Sequence, residues 1–196
     1  MAKRPLDTEE ELEVSSRAEL RTWLGRHHGR PRGVWLVTWK KAHPDRYVAI
    51  GEIIRECLAH GWVDSLPRGK DADRTMLWIS PRKPGSNWSR VNKEFVQELE
   101  DQGLMTEAGR AKVEAAKVDG TWTALDDVEN LVVPKDLQAA FDARPGSQAQ
   151  WDAFPRSVKR GVLEWILNAK RPATRAKRIE ETASDSANGQ RPNQWR

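Results

Sequence analysis

Apolar positions in this chain recur mostly at helical spacing, interrupted by two short runs of strand character. Ser16 and Glu19 form an S-x-x-E arrangement suited to a helix N-terminus. Leu20, Trp23 and Leu24 follow on one face before Gly29 and Pro31 end the helix. Residues 33–40 read GVWLVTWK, a β-branched and aromatic run that predicts a largely buried strand with Trp35, Val37 and Trp39 on one face. Tyr47, Ile50, Ile53, Ile54, Cys57 and Leu58 then make a helical stripe closed by His60-Gly61. A second strand is expected over 74–80, where Met76 and Trp78 alternate with Leu77 and Ile79 before Pro81 stops the run. Two strands cannot form a stable sheet alone, so helices must cover them or a further strand must extend them.

The rest of the chain is helical in pattern. A helix over 91–99 ends near Gly103, and Thr106 caps another through Ala111, Ala115 and Val118 to Gly120. Residues 120–133 lack periodicity. Pro134 opens a helix carrying Leu137, Ala140 and Phe141, and Pro145-Gly146-Ser147 separates it from a short helix around Trp151 and Phe154. Val158, Val162, Trp165, Ile166 and Ala169 form the cleanest amphipathic stripe, and Pro172 restarts a helix through Ile179. The expected fold class is therefore α+β, mainly α-helical, with a small antiparallel β-sheet and a C-terminal helical module. The expected organisation is a flexible acidic N-terminus over 1–15, an α+β core over 16–130, the helical module over 131–182 and a disordered tail over 183–196.

Composition narrows the function classes. Of the 196 residues 38% are apolar, which excludes wholesale disorder, and 10 are Trp, so large indoles must fill core gaps or line a recognition surface. The formal net charge of +4 is too small to imply nucleic acid by itself, but its distribution is uneven. Residues 1–15 carry a net of −3 and residues 156–178 a net of +7. Cys57 is the lone cysteine, which excludes an intrachain disulfide and a thiolate metal cluster and favours a reducing compartment. No apolar run approaches membrane-spanning length and the N-terminus lacks a signal-peptide core, so a cytoplasmic location without membrane insertion is expected. Neither a G-x-G-x-x-G fingerprint nor a G-x-x-x-x-G-K-[ST] loop is present, and His27, His28 and His43 lack a ligand set, so neither a cofactor nor a metal is expected.

Candidate chemistry concentrates between His60 and Asn92. The stretch Ser80-Pro81-Arg82-Lys83-Pro84-Gly85-Ser86-Asn87-Trp88-Ser89 packs a guanidinium, hydroxyls, an amide and an indole among turn formers. Arg82 can grip a phosphate or carboxylate in bidentate fashion, and Ser86, Asn87 and Ser89 can hydrogen-bond a polar ligand. Trp62 or Trp88 can stack on a planar group, and Asp64 can orient Arg82 or act as a base. The competing reading makes Asn87 and Ser89 turn and helix caps, Arg82–Asp64 a scaffold pair and Trp88 a core plug. His60 is an acid–base candidate or a helix C-cap. A second surface comprises Lys170, Arg171, Thr174, Arg175 and Arg178, which on helices can form a patch for nucleic-acid backbone or an acidic protein, or simply a solvated face.

Taken together, Gly61-Trp62-Val63-Asp64, Ser80-Pro81-Arg82 with Ser86-Asn87-Trp88-Ser89 and Asn92, Met105-Thr106-x-x-Gly109, Ala115-Ala116-Lys117 and Gly120-x-Trp122 resemble the motifs of the bacterial YdeI/OmpD-associated family, whose members are labelled bacteriocin-protection proteins. Val133-Pro134-x-Asp136-Leu137 and Ala169-Lys170-Arg171-Pro172-x-Thr174-Arg175-x-Lys177-Arg178-Ile179-Glu180 resemble that family's small helical module, and the likeness spans residues 16–182. The resemblance implies that Trp62, Asp64, Arg82, Asn87 and Trp88 form a common site or a common structural knot; it brings no reaction with it.

The favoured expectation is a noncatalytic binding protein that takes a small anionic or planar ligand on Trp62, Asp64, Arg82, Ser86, Asn87, Trp88 and Ser89, a protein partner, or both. One alternative is a nucleic-acid-binding protein using the basic C-terminal helices. The other is an enzyme with Asp64 or His60 as base and Arg82 as the anion-binding group.

Overall fold

The computed structural model describes residues 9–193, which divide into two compact units between Thr123 and Ala124. The first unit is α+β. Strands β1 (Glu11–Glu13), β2 (Val34–Trp39), β3 (Trp62–Gly69) and β4 (Arg74–Pro81) form one sheet in the order β1-β2-β4-β3. The expected β2–β4 pair is antiparallel, with Trp35 opposite Trp78 and Val37 opposite Met76.

Two strands complete it. β1 adds in parallel beside β2, so residues 11–13 of the expected flexible N-terminus are ordered instead. The reason lies in the alternation Glu-Leu-Glu. Leu12 packs against the core while Glu11 and Glu13 pair with Lys70 and Arg74 across the sheet, and Val14 is buried. Residues 1–8 of that expected segment lie outside the described residues. β3 occupies the opposite edge, a position at which a sheet tolerates a proline such as Pro67, and the register shifts between Asp64 and Pro67.

One face of the sheet, with Leu36, Leu77 and Ile79, packs on helices α1 (Arg17–His27) and α2 (Ile50–Ala59) through Leu20, Leu24, Ile53 and Cys57. Ser16 caps α1, its Oγ accepting from the Glu19 backbone N–H at 3.2 Å. Helices α3 (Arg90–Asp101) and α4 (Glu107–Asp119) add a second cluster around Trp88, Leu99 and Val113. The Thr106 hydroxyl accepts from the Gly109 N–H, as a helix cap should, and donates to the Ala59 carbonyl at 2.6 Å, fastening α4 to the end of α2.

The second unit is all helical. Its elements are α5 (Asp126–Glu129), α6 (Lys135–Asp142), α7 (Ser147–Ala153), α8 (Arg156–Leu167) and α9 (Pro172–Ala187), around Leu137, Phe141, Trp151, Val162, Ile166 and Ala183. The short α5 falls inside the stretch expected to be irregular, and the unit begins at Ala124 rather than at residue 131. The expected tail at 183–196 requires a larger correction. α9 continues to Ala187, because Thr182, Ala183 and Ser186 are buried and present small side chains to the packed face. Residues 194–196 lie outside the described residues.

Candidate functional site

Arg82 closes β4 and enters the turn that leads to α3. Its backbone N–H donates to the Gly61 carbonyl at 2.9 Å, which ties the turn to the end of α2. Gly61 sits at φ +75°, and a Cβ there would lie 2.9 Å from both the Ala108 carbonyl oxygen and the Lys112 Cγ, so this junction admits no side chain. The Arg82 guanidinium is 4% exposed and stacks on Trp88, 3.8 Å from the ring centroid. Nη1 donates to the Asn87 carbonyl at 3.0 Å, whereas Nε and Nη2 are buried without a hydrogen-bond partner.

A buried guanidinium with two unsatisfied donors is expensive, and burial pushes its pKa down to about 10, opposed in part by the charge of Asp64. Asp64 forms no ion pair with Arg82 among the described residues and acts on it only through space. Beside Arg82 lies a recess of about 50 Å3, walled by the Lys83–Ser86 turn and Trp88 on one side and by Lys112, Ala115, Ala116, Asp119 and Thr121 on the other. The Asp119 carboxyl is held below its ordinary pKa by hydrogen bonds from the Thr121 hydroxyl and N–H, with a further contribution from the Gly85 N–H.

Of the residues expected from sequence, Arg82, Ser86 and Trp88 line this recess and Asn87 supplies its backbone carbonyl. Ser89 lies outside the lining: its Oγ caps α3, accepting from the Asn92 N–H at 3.2 Å. Trp62 is fully buried in the sheet–helix core, where Nε1 donates to the His28 carbonyl at 3.1 Å and the ring meets Trp23 edge-on, leaving no face for a ligand. Trp88, 1% exposed, has one face covered by Arg82 and packs against Trp122, so it serves as the floor of the site rather than as a stacking platform. The α4 wall was missed by loop-based reasoning. Its only sequence signal was the Ala115-Ala116-Lys117 and Gly120-x-Trp122 pattern, in which small residues leave room beside Lys112.

His60 faces elsewhere. Nδ1 is 2.8 Å from the Glu56 carbonyl, and the ring lines a separate cleft of about 370 Å3 with His28, Thr106 and Glu107. Burial lowers the His60 pKa. His60 and Arg82 therefore line different pockets, and the version of the enzyme alternative with His60 as base lacks the shared pocket it requires. Among the described residues no cluster of three or more His, Cys, Asp or Glu side chains can hold a metal ion.

The basic C-terminal surface is partly consumed by structure. Arg175 is held by Asp136, and Arg178 donates to the Trp165 carbonyl while lying over the Trp165 ring. Lys170 and Arg171 are exposed, and Thr174 is half-buried. No described helix is long and apolar enough to cross a membrane.

Residues 12–112 match the family model described as Domain of unknown function (DUF8412), over just over half of the chain, and the protein belongs to that family. Residues 130–189 match the model described as Bacteriocin-protection, YdeI or OmpD-Associated. The YdeI/OmpD-associated match thus covers part of the 16–182 span expected from the motifs and falls in the helical unit, whereas Arg82, the Lys83–Ser86 turn, Trp88 and Lys112 of the recess lie within the 12–112 match. No curated protein and no solved structure matches the chain.

Proposed function

We propose that the α+β unit is a noncatalytic binding module for a small anionic ligand held on Arg82. One observation carries this reading: a guanidinium 4% exposed keeps Nε and Nη2 without partners beside a recess. Among the described residues Arg55, Arg74, Arg110, Arg160 and Arg175 use that same Nε/Nη2 edge to grip Glu98, Asp71, Glu100, Glu129 and Asp136. The edge matches an oxyanion in shape as well as charge. Trp88 beneath the ring and the Asn87 carbonyl on Nη1 fix its orientation, so little rotamer entropy is lost on binding.

The test is thermal stabilisation of the full chain across a panel of anionic metabolites, followed by titration of each hit into Arg82→Lys, which keeps the charge and loses the fork. A hit weakened at least tenfold in a variant with unchanged circular dichroism supports the module. A panel without hits, or hits that bind Arg82→Lys equally well, overturns it.

A further inference from the structure

The charges around the recess say more about the ligand. Arg82, Lys83 and Lys112 face a single carboxylate, Asp119, so the lining carries a net of two positive charges. A carboxylate monoanion leaves one of these uncompensated, whereas a dianion neutralises both. The recess, at about 50 Å3, admits a group of a few heavy atoms but not a ring. Hydroxyls of Ser86 and Thr121 stand at its edge, able to turn from the Lys83 carbonyl and from Asp119 toward further acceptor oxygens.

Resting on the anion-binding reading above, we propose that the ligand is a phosphate monoester, its terminal phosphoryl dianion gripped by the Nε/Nη2 edge of Arg82 and neutralised with Lys112, and the remainder of the molecule outside the recess. Nε and Nη2 are shielded from bulk water, so the phosphoryl group reaches them as the exposed Lys83-Pro84-Gly85 turn moves outward. That turn is closed locally, by the Ser86 N–H and hydroxyl donating to the Lys83 carbonyl.

The pH dependence is distinctive. The charged groups facing the site are Arg82, Lys83, Lys112 and Asp119, with Asp64 acting from β3, and no histidine lines the recess. The group that titrates between pH 5.5 and 7.5 is then the ligand, whose second ionisation lies near pH 6.

Calorimetric titration of the full chain with inorganic phosphate, glycerol phosphate, sulfate and acetate, at pH 5.5 and 7.5, tests this. The expected result is glycerol phosphate and phosphate binding at least tenfold tighter than acetate, strengthening several-fold from pH 5.5 to 7.5 while sulfate stays level, and glycerol phosphate at least matching free phosphate. Lys112→Met keeps the stem beside Gly61 and is expected to weaken phosphate about tenfold with little effect on acetate. Acetate equal to phosphate, or a pH-independent phosphate affinity, overturns the monoester while leaving the anion site standing. No binding by any of the four overturns both.

Discussion

Asp136 and Arg175 are joined by two parallel hydrogen bonds, Nε to Oδ2 at 2.7 Å and Nη2 to Oδ1 at 2.9 Å. The pair ties the first turn of α6 to α9 and removes Arg175 from the surface that its sequence neighbours suggested for an acidic partner. The hydrogen bond from Arg175 is the main cause of a depressed Asp136 pKa.

A pH dependence follows from that depression. The folded carboxylate gives up its proton more readily than the unfolded one, so its contribution is complete above the unfolded pKa near 4 and is lost as pH falls through the lower folded value. The Asp136 side chain is 46% exposed, and solvent screening limits the pair to about 0.5–1 kcal/mol. Urea unfolding of Asp136→Asn is expected to lie that far below the parent protein at pH 7, with the gap closing as pH falls below the unfolded value and through the lower folded one. A gap that persists at low pH would assign the effect to something other than the ion pair.

Glu56 is the counterpart on the interior. Its carboxylate is wholly buried and accepts from Arg17 Nε at 2.6 Å and Arg21 Nη1 at 2.9 Å, while Arg21 Nη2 reaches the Leu104 carbonyl at 2.9 Å. Each arginine alone can compensate the charge, so Arg17→Ala and Arg21→Ala should each cost about 1.5–3 kcal/mol. The double variant strands a buried carboxylate and should cost more than the sum. Additivity across this double-mutant cycle, read by urea unfolding, would refute the shared clamp.

Elements were legible in the sequence where burial imposed a period. The β2–β4 pair, the stripe of α2 and the Thr106 cap of α4 each combine apolar spacing with a recognisable stop. β1 and β3 were not legible, because both are edge strands whose outward residues are polar and whose identity depends on partners distant in the chain. The Arg82 turn was legible as composition, a guanidinium and hydroxyls among turn formers. Its other wall was not, since Lys112, Asp119 and Thr121 look like ordinary surface residues until α4 is docked. Trp62 shows the reverse failure: an indole beside an aspartate looks like a site, but burial of the ring and the His28 carbonyl account for it fully.

Docking of α4 makes its own prediction through Gly109. A Cβ at this position would fall 2.4 Å from the Ala59 carbonyl oxygen and 2.8 Å from the Leu58 carbonyl oxygen, and backbone atoms cannot swing aside as a flexible side chain can. Gly109→Ala should therefore push α4 off the end of α2 and destabilise by about 1–3 kcal/mol despite the better helix propensity of alanine. Gly29→Ala, where nothing lies within 4 Å, serves as the control and should change stability by less than about 0.5 kcal/mol. Equal thermal shifts for the two variants would refute close backbone contact as the reason for Gly109.

The same junction buries His60, 4% exposed with Nδ1 on the Glu56 carbonyl, and burial lowers its pKa from the ordinary value of 6.5. As pH falls through 6.5 the unfolded chain takes up a proton that the folded state resists. Stability tied to the neutral ring is complete above 6.5 and is lost as pH descends toward the folded value. Urea unfolding between pH 7.5 and 5.5 should show the parent protein losing stability more steeply than His60→Gln, which lacks the ionisation. The imidazole resonance of His60 in proton NMR should report a midpoint below 6.5. A midpoint at or above 6.5 would mean that the hydrogen bond from Nδ1–H to the Glu56 carbonyl, which favours the charged ring, outweighs burial, and the predicted loss of stability at low pH would be absent.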